Sequence, residues 1–320
     1  MLDRIVGIID SCRTFLVTSH VRLDGDALGS ELAMYHFLRN VGKEVVVYNQ
    51  DETPEKYRFL PGSGIIVNTL NSFKDFDVVF VLDCSDIARI GNEASRSDSI
   101  KRMINIDHHV SNTGFCDVSL VDHEASSTGE ILFRLFRKMN IDLTSDIAIN
   151  LYTAILTDTG SFCYSNTGKD TFAIAGELVK RGASPRRIAE KLYETNPAAK
   201  IELLAKVLGT LEFDWNGKIG SIRVTLRMLE DAGALQEYTD GFVDFPRSIK
   251  GVEVAVLYSE TSDNNFKVSL RSKGRINVER VAGEFGGGGH FSAAACSVEG
   301  DIDTVKSKIA ACIMAQQSNI

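Results

Sequence analysis

Apolar positions along this chain follow two rhythms, and the change from one to the other divides it. In the first half, short apolar or β-branched runs alternate with longer stretches of helical spacing. Residues 1 to about 13 read as an amphipathic helix leading into Phe15-Leu16-Val17, a short buried strand. A helix follows from Asp26, which can cap it, and should end near Gly42. Glu44–Tyr48 is a β-branched second strand. Asp77–Leu82 is almost continuously apolar, as suits a parallel strand buried on both faces. Lys101–Ile106 makes a further strand. From residue 126 to about 181 the pattern turns helical. Ser126-Ser127-Thr128-Gly129-Glu130 has capping-box character, and Ile147–Ile155 runs into a turn at Asp158-Thr159-Gly160. Two more helices, around Lys169–Arg181 and Pro185–Tyr193, read as surface or bridging elements.

The second half has a helix near Ala198–Thr210 and then short strands separated by turns: Lys218–Val224, Val252–Tyr258 and Asn265–Leu270. Asp263-Asn264-Asn265 predicts that the last two form a hairpin. Strict alternation puts Phe266, Val268 and Leu270 on one face and Lys267, Ser269 and Arg271 on the other. A helical stretch near Val278–Glu284 precedes Gly286-Gly287-Gly288-Gly289-His290. Gly182–Pro185 and Asn196-Pro197 bracket a connector. The fold class predicted is α/β: a doubly wound, mainly parallel sheet domain over residues 1–184 and a smaller α/β domain over 201–320, joined by 185–200.

A length of 320 residues fits two cores better than one, and the 44% hydrophobic and 24% charged fractions are those of a soluble globular chain. The formal net charge of −8 argues against a general nucleic-acid coat protein, which would normally be basic, but allows a local basic patch for phosphates. The six cysteines are scattered, with no Cys-x-x-Cys pair, so reduced thiols are expected rather than a disulfide framework or structural zinc. No apolar run reaches the roughly 18 residues of a membrane span, and the N-terminus lacks a signal-peptide layout. A cytoplasmic location is expected.

Candidate chemistry sits at the strand ends. His20, Asp24 and Asp26 lie on the turn after the first strand, Asp83 follows the apolar third, and Asp107-His108-His109 ends the next. In a parallel sheet those ends share one edge, where open α/β sheets bind ligands. Asp158 on its own would more often be a cap or a turn residue. Carboxylates crowded with imidazoles call for a positive partner, and this set suits Mn²⁺ or Mg²⁺ ahead of Zn²⁺. Two metals sharing a carboxylate are more natural than one, with Asp83 on the central strand as the bridge. Such pairs activate water for in-line attack on phosphorus. The glycine run lacks the Lys-Ser or Lys-Thr of a P-loop, but with His290 and Arg271-Ser272-Lys273 it makes a phosphate cradle. Asp122, His123 and Ser127 are adjacent without triad geometry, His36 reads as a packed or surface residue, and Gly62-x-Gly64 lacks the rest of a dinucleotide fingerprint.

His20-x-x-x-Asp24-x-Asp26-Ala27-x-Gly29-Ser30, Asp83, Asp107-His108-His109 and Asp158-Thr159-Gly160-x-Phe162 resemble the ordered motifs of the DHH phosphoesterase superfamily. Arg271-Ser272-Lys273-Gly274 and Gly287-Gly288-Gly289-His290 resemble those of its DHH-associated C-terminal domain. The resemblance spans nearly the whole chain. It implies one divalent metal, Mn²⁺ first, held by His20, Asp24 and Asp83, and a second held by Asp26, Asp83, His108 and Asp158. It further implies that Asp107 orients an imidazole and that His109 touches the scissile phosphate or aids the leaving group. Arg271, Ser272, Lys273, Gly287, Gly288, Gly289 and His290 would hold the substrate across an inter-domain cleft. Leu23 stands where a proline is common, and Ala295 where a glycine often follows the His motif.

Size and motif set are most similar to the branch that degrades very short RNA to mononucleotides and dephosphorylates 3′-phosphoadenosine 5′-phosphate (pAp). A cyclic- or linear-dinucleotide phosphodiesterase is the rival enzyme. A catalytically silent nucleotide-binding regulator is disfavoured by the complete ligand set. The partners expected are short RNA or a nucleotide, with no membrane and no long duplex; a homo-oligomer is left open.

Overall fold

The computed structural model describes residues 1–70, 72–73, 75–91 and 100–317, and it divides into two compact units, Met1–Thr195 and Asn196–Ile320. The first unit contains α1 (Leu2–Ser11), β1 (Thr14–Thr18), α2 (Gly25–Asn40), β2 (Glu44–Val47), β3 (Val78–Leu82), β4 (Met103–Asp107) and β5 (Val118–Val121). It continues with α3 (Thr128–Lys138), α4 (Ser145–Asp158), α5 (Lys169–Lys180) and α6 (Pro185–Tyr193). All strand pairings are parallel, in the order β2-β1-β3-β4-β5. The order reverses between β1 and β3, so the sheet is doubly wound and its ligand crevice is expected beyond the carboxyl ends of those two strands.

Every residue of β3 is buried, as its apolar run predicts. Phe15, Val17, Phe80 and Leu82 pack on one face with α2, α3 and α4, while Leu16, Val79 and Val81 pack on the other with Tyr48 and Phe73. The edge strand β5 escapes sequence reading because only Val118 of its residues is fully buried, which leaves no apolar run. Within the stretch expected as a connector, α6 buries Ile188 and Leu192 in the first core.

One cap differs from expectation. Asp24, not Asp26, caps α2, accepting the Ala27 N–H at 3.0 Å. Asp26 lies inside the first turn and is buried, with its carboxylate engaged elsewhere. Close packing of α2 on α4 depends on two glycines four residues apart. A Cβ on Gly25 would lie 2.3 Å from the Thr157 hydroxyl, and one on Gly29 would lie 2.5 Å from the Asn150 carbonyl oxygen. That approach brings the start of α2 beside the end of α4.

The second unit contains α7 (Ala198–Leu208), β6 (Glu212–Asp214), β7 (Ile219–Val224), α8 (Leu226–Ala232), α9 (Asp244–Ser248), β8 (Val254–Ser262) and β9 (Asn265–Ser272). α10 (Val278–Gly283), β10 (Gly288–His290), β11 (Ala293–Glu299) and α11 (Ile302–Gln317) complete it. Its mixed sheet runs β10-β11-β9-β8-β7-β6, and β8 and β9 form the predicted hairpin. Val256, Val268, Leu270 and Ala294 pack on one face with Val305 and Ile309 of α11; Ile222, Val224 and Leu257 pack on the other with Leu203 and Val207 of α7. Among the described residues no helix is long and apolar enough to cross a membrane.

Part of the glycine run is regular structure: Gly288–His290 is a strand. A Cβ on Gly287 would lie 2.2 Å from the Ala295 carbonyl oxygen, and one on Gly289 would lie 2.4 Å from that of Ala293. These two glycines therefore admit the backbone of β11. Replacing Gly29 by Val should cost about 1–3 kcal/mol of stability through overpacking against α4. Urea unfolding checks this, and an unchanged midpoint would contradict the close-approach argument.

Candidate metal centre

Three parallel strands end in the functional groups. His20 follows β1, Asp83 follows β3, and Asp107-His108-His109 closes β4, so the sheet's switch point and its charged groups coincide. Asp24 and Asp26 come from the start of α2 and Asp158 from the last position of α4. The structure brings all six sequence-predicted ligands together. His20 Nε2 lies 3.6 Å from Asp24 Oδ2 and 3.5 Å from Asp83 Oδ2. His108 Nε2 lies 3.6 Å from Asp26 Oδ2, 3.6 Å from Asp83 Oδ1 and 3.5 Å from Asp158 Oδ2. Asp83 thus turns one oxygen to each imidazole, and its backbone holds the left-handed φ of 53° to do so. His20, Asp24 and Asp83 form one group with metal-ligating spacing, and Asp26, Asp83 and His108 form another.

Backbone groups set the imidazole tautomers. The Val21 carbonyl, 2.8 Å from His20 Nδ1, can only accept, so Nδ1 carries a proton and Nε2 is the nitrogen left for a second proton or a metal. Ala125 O stands 3.3 Å from His108 Nδ1 with the same effect. Asp107 is committed to bracing: Oδ1 accepts from His109 Nδ1 at 2.7 Å and Oδ2 from Asn112 Nδ2 at 2.6 Å.

Sequence reasoning assigned no supporting role to five residues that have one. The Thr128 hydroxyl donates to Asp83 Oδ1 at 3.0 Å. The Thr128 and Gly129 N–H groups, at the start of α3, donate to the two oxygens of Asp26 at 2.7 and 3.0 Å. A carboxylate at a helix N-terminus is favourable, and here it explains why Asp26 does not cap its own helix. Ser30 Oγ also donates to Asp26, at 3.0 Å; four residues along one helix, this contact was recoverable from spacing. Asn112 braces Asp107, and Asn166 Nδ2 donates to the Ser126 and Asp158 carbonyls at 2.9 and 3.1 Å. Nothing in the sequence marks Thr128, Asn112 or Asn166, because their partners are remote along the chain. Of the rejected residues, Ser127 caps α3, Asp122 pairs with Arg134 at 2.6 Å, and His36 contacts the Pro61 carbonyl at 3.1 Å.

In the second unit, strand register pairs Arg271 with Ala293 and Ala293 with His290, so Arg271 and His290 share a sheet face. Arg271 Nη1 donates to the Leu270 carbonyl at 3.0 Å. Ser272 is buried, and its hydroxyl accepts the Gly274 N–H at 3.2 Å. Lys273 Nζ donates to the Ile249 carbonyl at 2.8 Å. Gly288 has open space where a Cβ would stand, unlike Gly287 and Gly289.

The DHH family N-terminal domain matches residues 14–155 and the DHHA1 domain matches residues 221–315. A bifunctional oligoribonuclease and PAP phosphatase NrnA from Thermus thermophilus is 31% identical over 294 residues, covering 92% of this chain and 87% of that protein. A probable bifunctional oligoribonuclease and PAP phosphatase NrnA from Streptococcus mutans is 30% identical over 291 residues, with coverage of 89% and 90%. The crystal structure of an exopolyphosphatase-related protein from Bacteroides fragilis has a TM-score of 0.91 at 29% identity, covering 99% of this chain and 96% of that one. The chain belongs to the DHH family. It is a phosphoesterase, and the family resemblance of its motifs is borne out.

Electrostatics of this DHH site favour a bound cation. Burial, and then the neighbouring Asp83, drive the Asp26 carboxyl well above the usual carboxylate range. Burial pushes Asp158 up to about 6 against the pull of His108. Burial disfavours a charged His20, but Asp24 and Asp83 outweigh it and raise its pKa to about 10. Asp158, Asp26 and Asp83 likewise lift His108 to about 9. Without a metal, protons on the imidazoles supply the positive charge that the carboxylates require. Oxygen and imidazole donors at this spacing fit divalent metal, and the family's metal dependence agrees with the donor set.

Two outcomes follow for metal loading. Ligands must lose their protons, so metal uptake near pH 7 should release about two protons, one from each imidazole. Without metal, the raised histidine pKa values add stability that is full below about pH 6.5 and fades as pH climbs through the folded values of about 9 and 10. Titration calorimetry in buffers of different ionisation heat measures the release, and uptake without it would contradict the protonated imidazoles. Thr128→Val keeps the side-chain shape but removes the donor to Asp83. Metal affinity should fall about 10- to 100-fold, read by competition with a fluorescent chelator.

Proposed function

We propose that this DHH phosphoesterase hydrolyses oligoribonucleotides of a few residues to mononucleotides and removes a phosphate from pAp, using two divalent ions with Mn²⁺ preferred. The observation that carries the reading is the division of Asp83 between two ligand groups, one oxygen facing His20 and the other facing His108. Relatives named oligoribonuclease and PAP phosphatase, similar over most of their length, support the substrate class. Six cysteines, all unpaired, are consistent with a reducing compartment, and we place the enzyme in the cytoplasm.

Paired divalent ions, when bound, stabilise charge on the phosphoryl oxygens and make water a competent nucleophile. The chain's own residues do the rest. Asp83 and Thr128 keep the shared carboxylate in one orientation. Asp107 holds the His109 Nδ1–H at 2.7 Å, which assigns Nε2 the contact with the scissile phosphate or the proton transfer to the leaving oxygen. We assign substrate phosphate contacts outside the metal centre to Arg271 and His290 of one sheet face, with charge assistance from the guanidinium. Ser272, Lys273, Gly287, Gly288 and Gly289 complete the assignment: the first two through the turn that follows Arg271, and the glycines by carrying β10 to His290.

The net charge of −8 provides no extended basic track for a long strand. Catalytic efficiency should therefore be highest for RNA of about two to five nucleotides and fall for longer chains, without sequence preference. Turnover with Mn²⁺ is compared across pAp, a dinucleotide, five- and 24-nucleotide RNA, cyclic dinucleotides and pyrophosphate. Asp83→Ala serves as the control that should be inactive in every arm. If the 24-nucleotide RNA is degraded as efficiently as the dinucleotide, or cyclic dinucleotides are preferred, the reading is wrong.

A further inference from the structure

Between the metal-centre residues His20 and Asp24 the chain makes a turn whose backbone is held on two sides. The Val21 N–H donates to the Arg89 carbonyl at 2.7 Å, and the Arg22 N–H donates to the Asp51 carboxylate. Leu23, next along, is buried. Arg22 is the one outward residue between these anchors. It is exposed, and its φ of 63° lies in the left-handed region that disfavours a branched-chain or long side chain. Glycine or asparagine would meet that turn more easily. Among the described residues the Arg22 guanidinium makes no hydrogen bond and no ion pair, although Asp24 stands two residues on and the Asp51 carboxylate accepts from its backbone N–H. A strained backbone at a functional site, over-determined by its neighbours and presenting an unengaged cation, is a recurrent form of ligand clamp.

We infer that Arg22 binds a phosphate of the substrate that flanks the scissile one, and so selects substrates carrying a second phosphoryl group. The partner is the flanking phosphate because Arg22 is exposed, whereas His20 and Asp83 on the floor of the site are only 4% and 2% exposed. Arginine suits the task, since its planar donors match phosphate oxygens in pairs. The inference rests on the short-oligoribonucleotide reading above and adds to it a recognition element on the first unit, separate from Arg271 and His290.

The test compares one diribonucleotide with and without a 5′-phosphate, using full-length metal-loaded protein. Arg22→Ala should lower kcat/KM about tenfold to a hundredfold on the 5′-phosphorylated form, mainly through KM, and less than about threefold on the unphosphorylated form. Arg22→Lys should restore part of the loss, because it keeps the charge but not the paired geometry. Metal content, measured by mass spectrometry, should be unchanged in every variant. Arg22→Gly should raise Tm by a few degrees by relieving the left-handed strain while losing the same discrimination. Equal losses on both dinucleotides, no loss, or depleted metal would overturn the role of Arg22 and leave the substrate reading intact. A wild-type enzyme that cleaves neither dinucleotide refutes the substrate reading and the inference together.

Discussion

The structure depends on holding several carboxylates within a few ångströms of each other with little water. Asp26 and Asp83 are buried, and Asp24 and Asp158 close the group from two helix ends. Like charges in such a place repel, and each loses hydration that only donors or a cation can replace. The fold supplies both remedies. The start of α3 gives two N–H groups and a hydroxyl to Asp26 and Asp83, and two tautomer-fixed imidazoles leave Nε2 facing the carboxylates. What remains unbalanced is negative charge of the kind that a divalent ion would neutralise, which agrees with the family's metal dependence.

Delivering those groups takes a specific architecture. Parallel strands end on one edge, and reversal of strand order between β1 and β3 opens the crevice where His20 and Asp83 meet. The helical groups arrive only because α2 and α4 pack at glycine distance, which sets Asp26 near Asp158. Backbone strain recurs near the same groups. Arg22, Asp83, Ser161 and Phe162 all have positive φ, and each lies at or within four residues of a ligand in the sequence. Rigid packing behind the site holds these conformations where an isolated turn would relax.

The second unit works differently. Its sheet uses register rather than strand ends to place Arg271 and His290 on one face, with Ala293 between them. The glycines before His290 serve that register, since a side chain at Gly287 or Gly289 would strike the backbone of β11. One unit thus concentrates negative charge that a divalent cation would offset, and the other presents cationic and imidazole groups suited to anions.

The sequence by itself determined the α/β class and the parallel strands β1 to β4, and it picked out the candidate ligands that the fold gathers, because buried strands leave continuous apolar runs and most of those candidates sit directly at their ends. It also determined the family, through motifs that span both units. The edge strand β5, with one buried residue, carries no such run and emerged only from its pairing with β4. Tertiary structure alone decided that Asp24 caps α2 while Asp26 binds the start of α3, since that contact joins residues about a hundred positions apart. It alone turned a glycine-rich loop into strand β10, because close approach to β11 is a property of two strands and not of either. Thr128, Asn112 and Asn166 were likewise invisible: hydrogen bonding is directional and nonlocal, and no periodicity along the chain records which remote carboxylate or carbonyl a side chain will face.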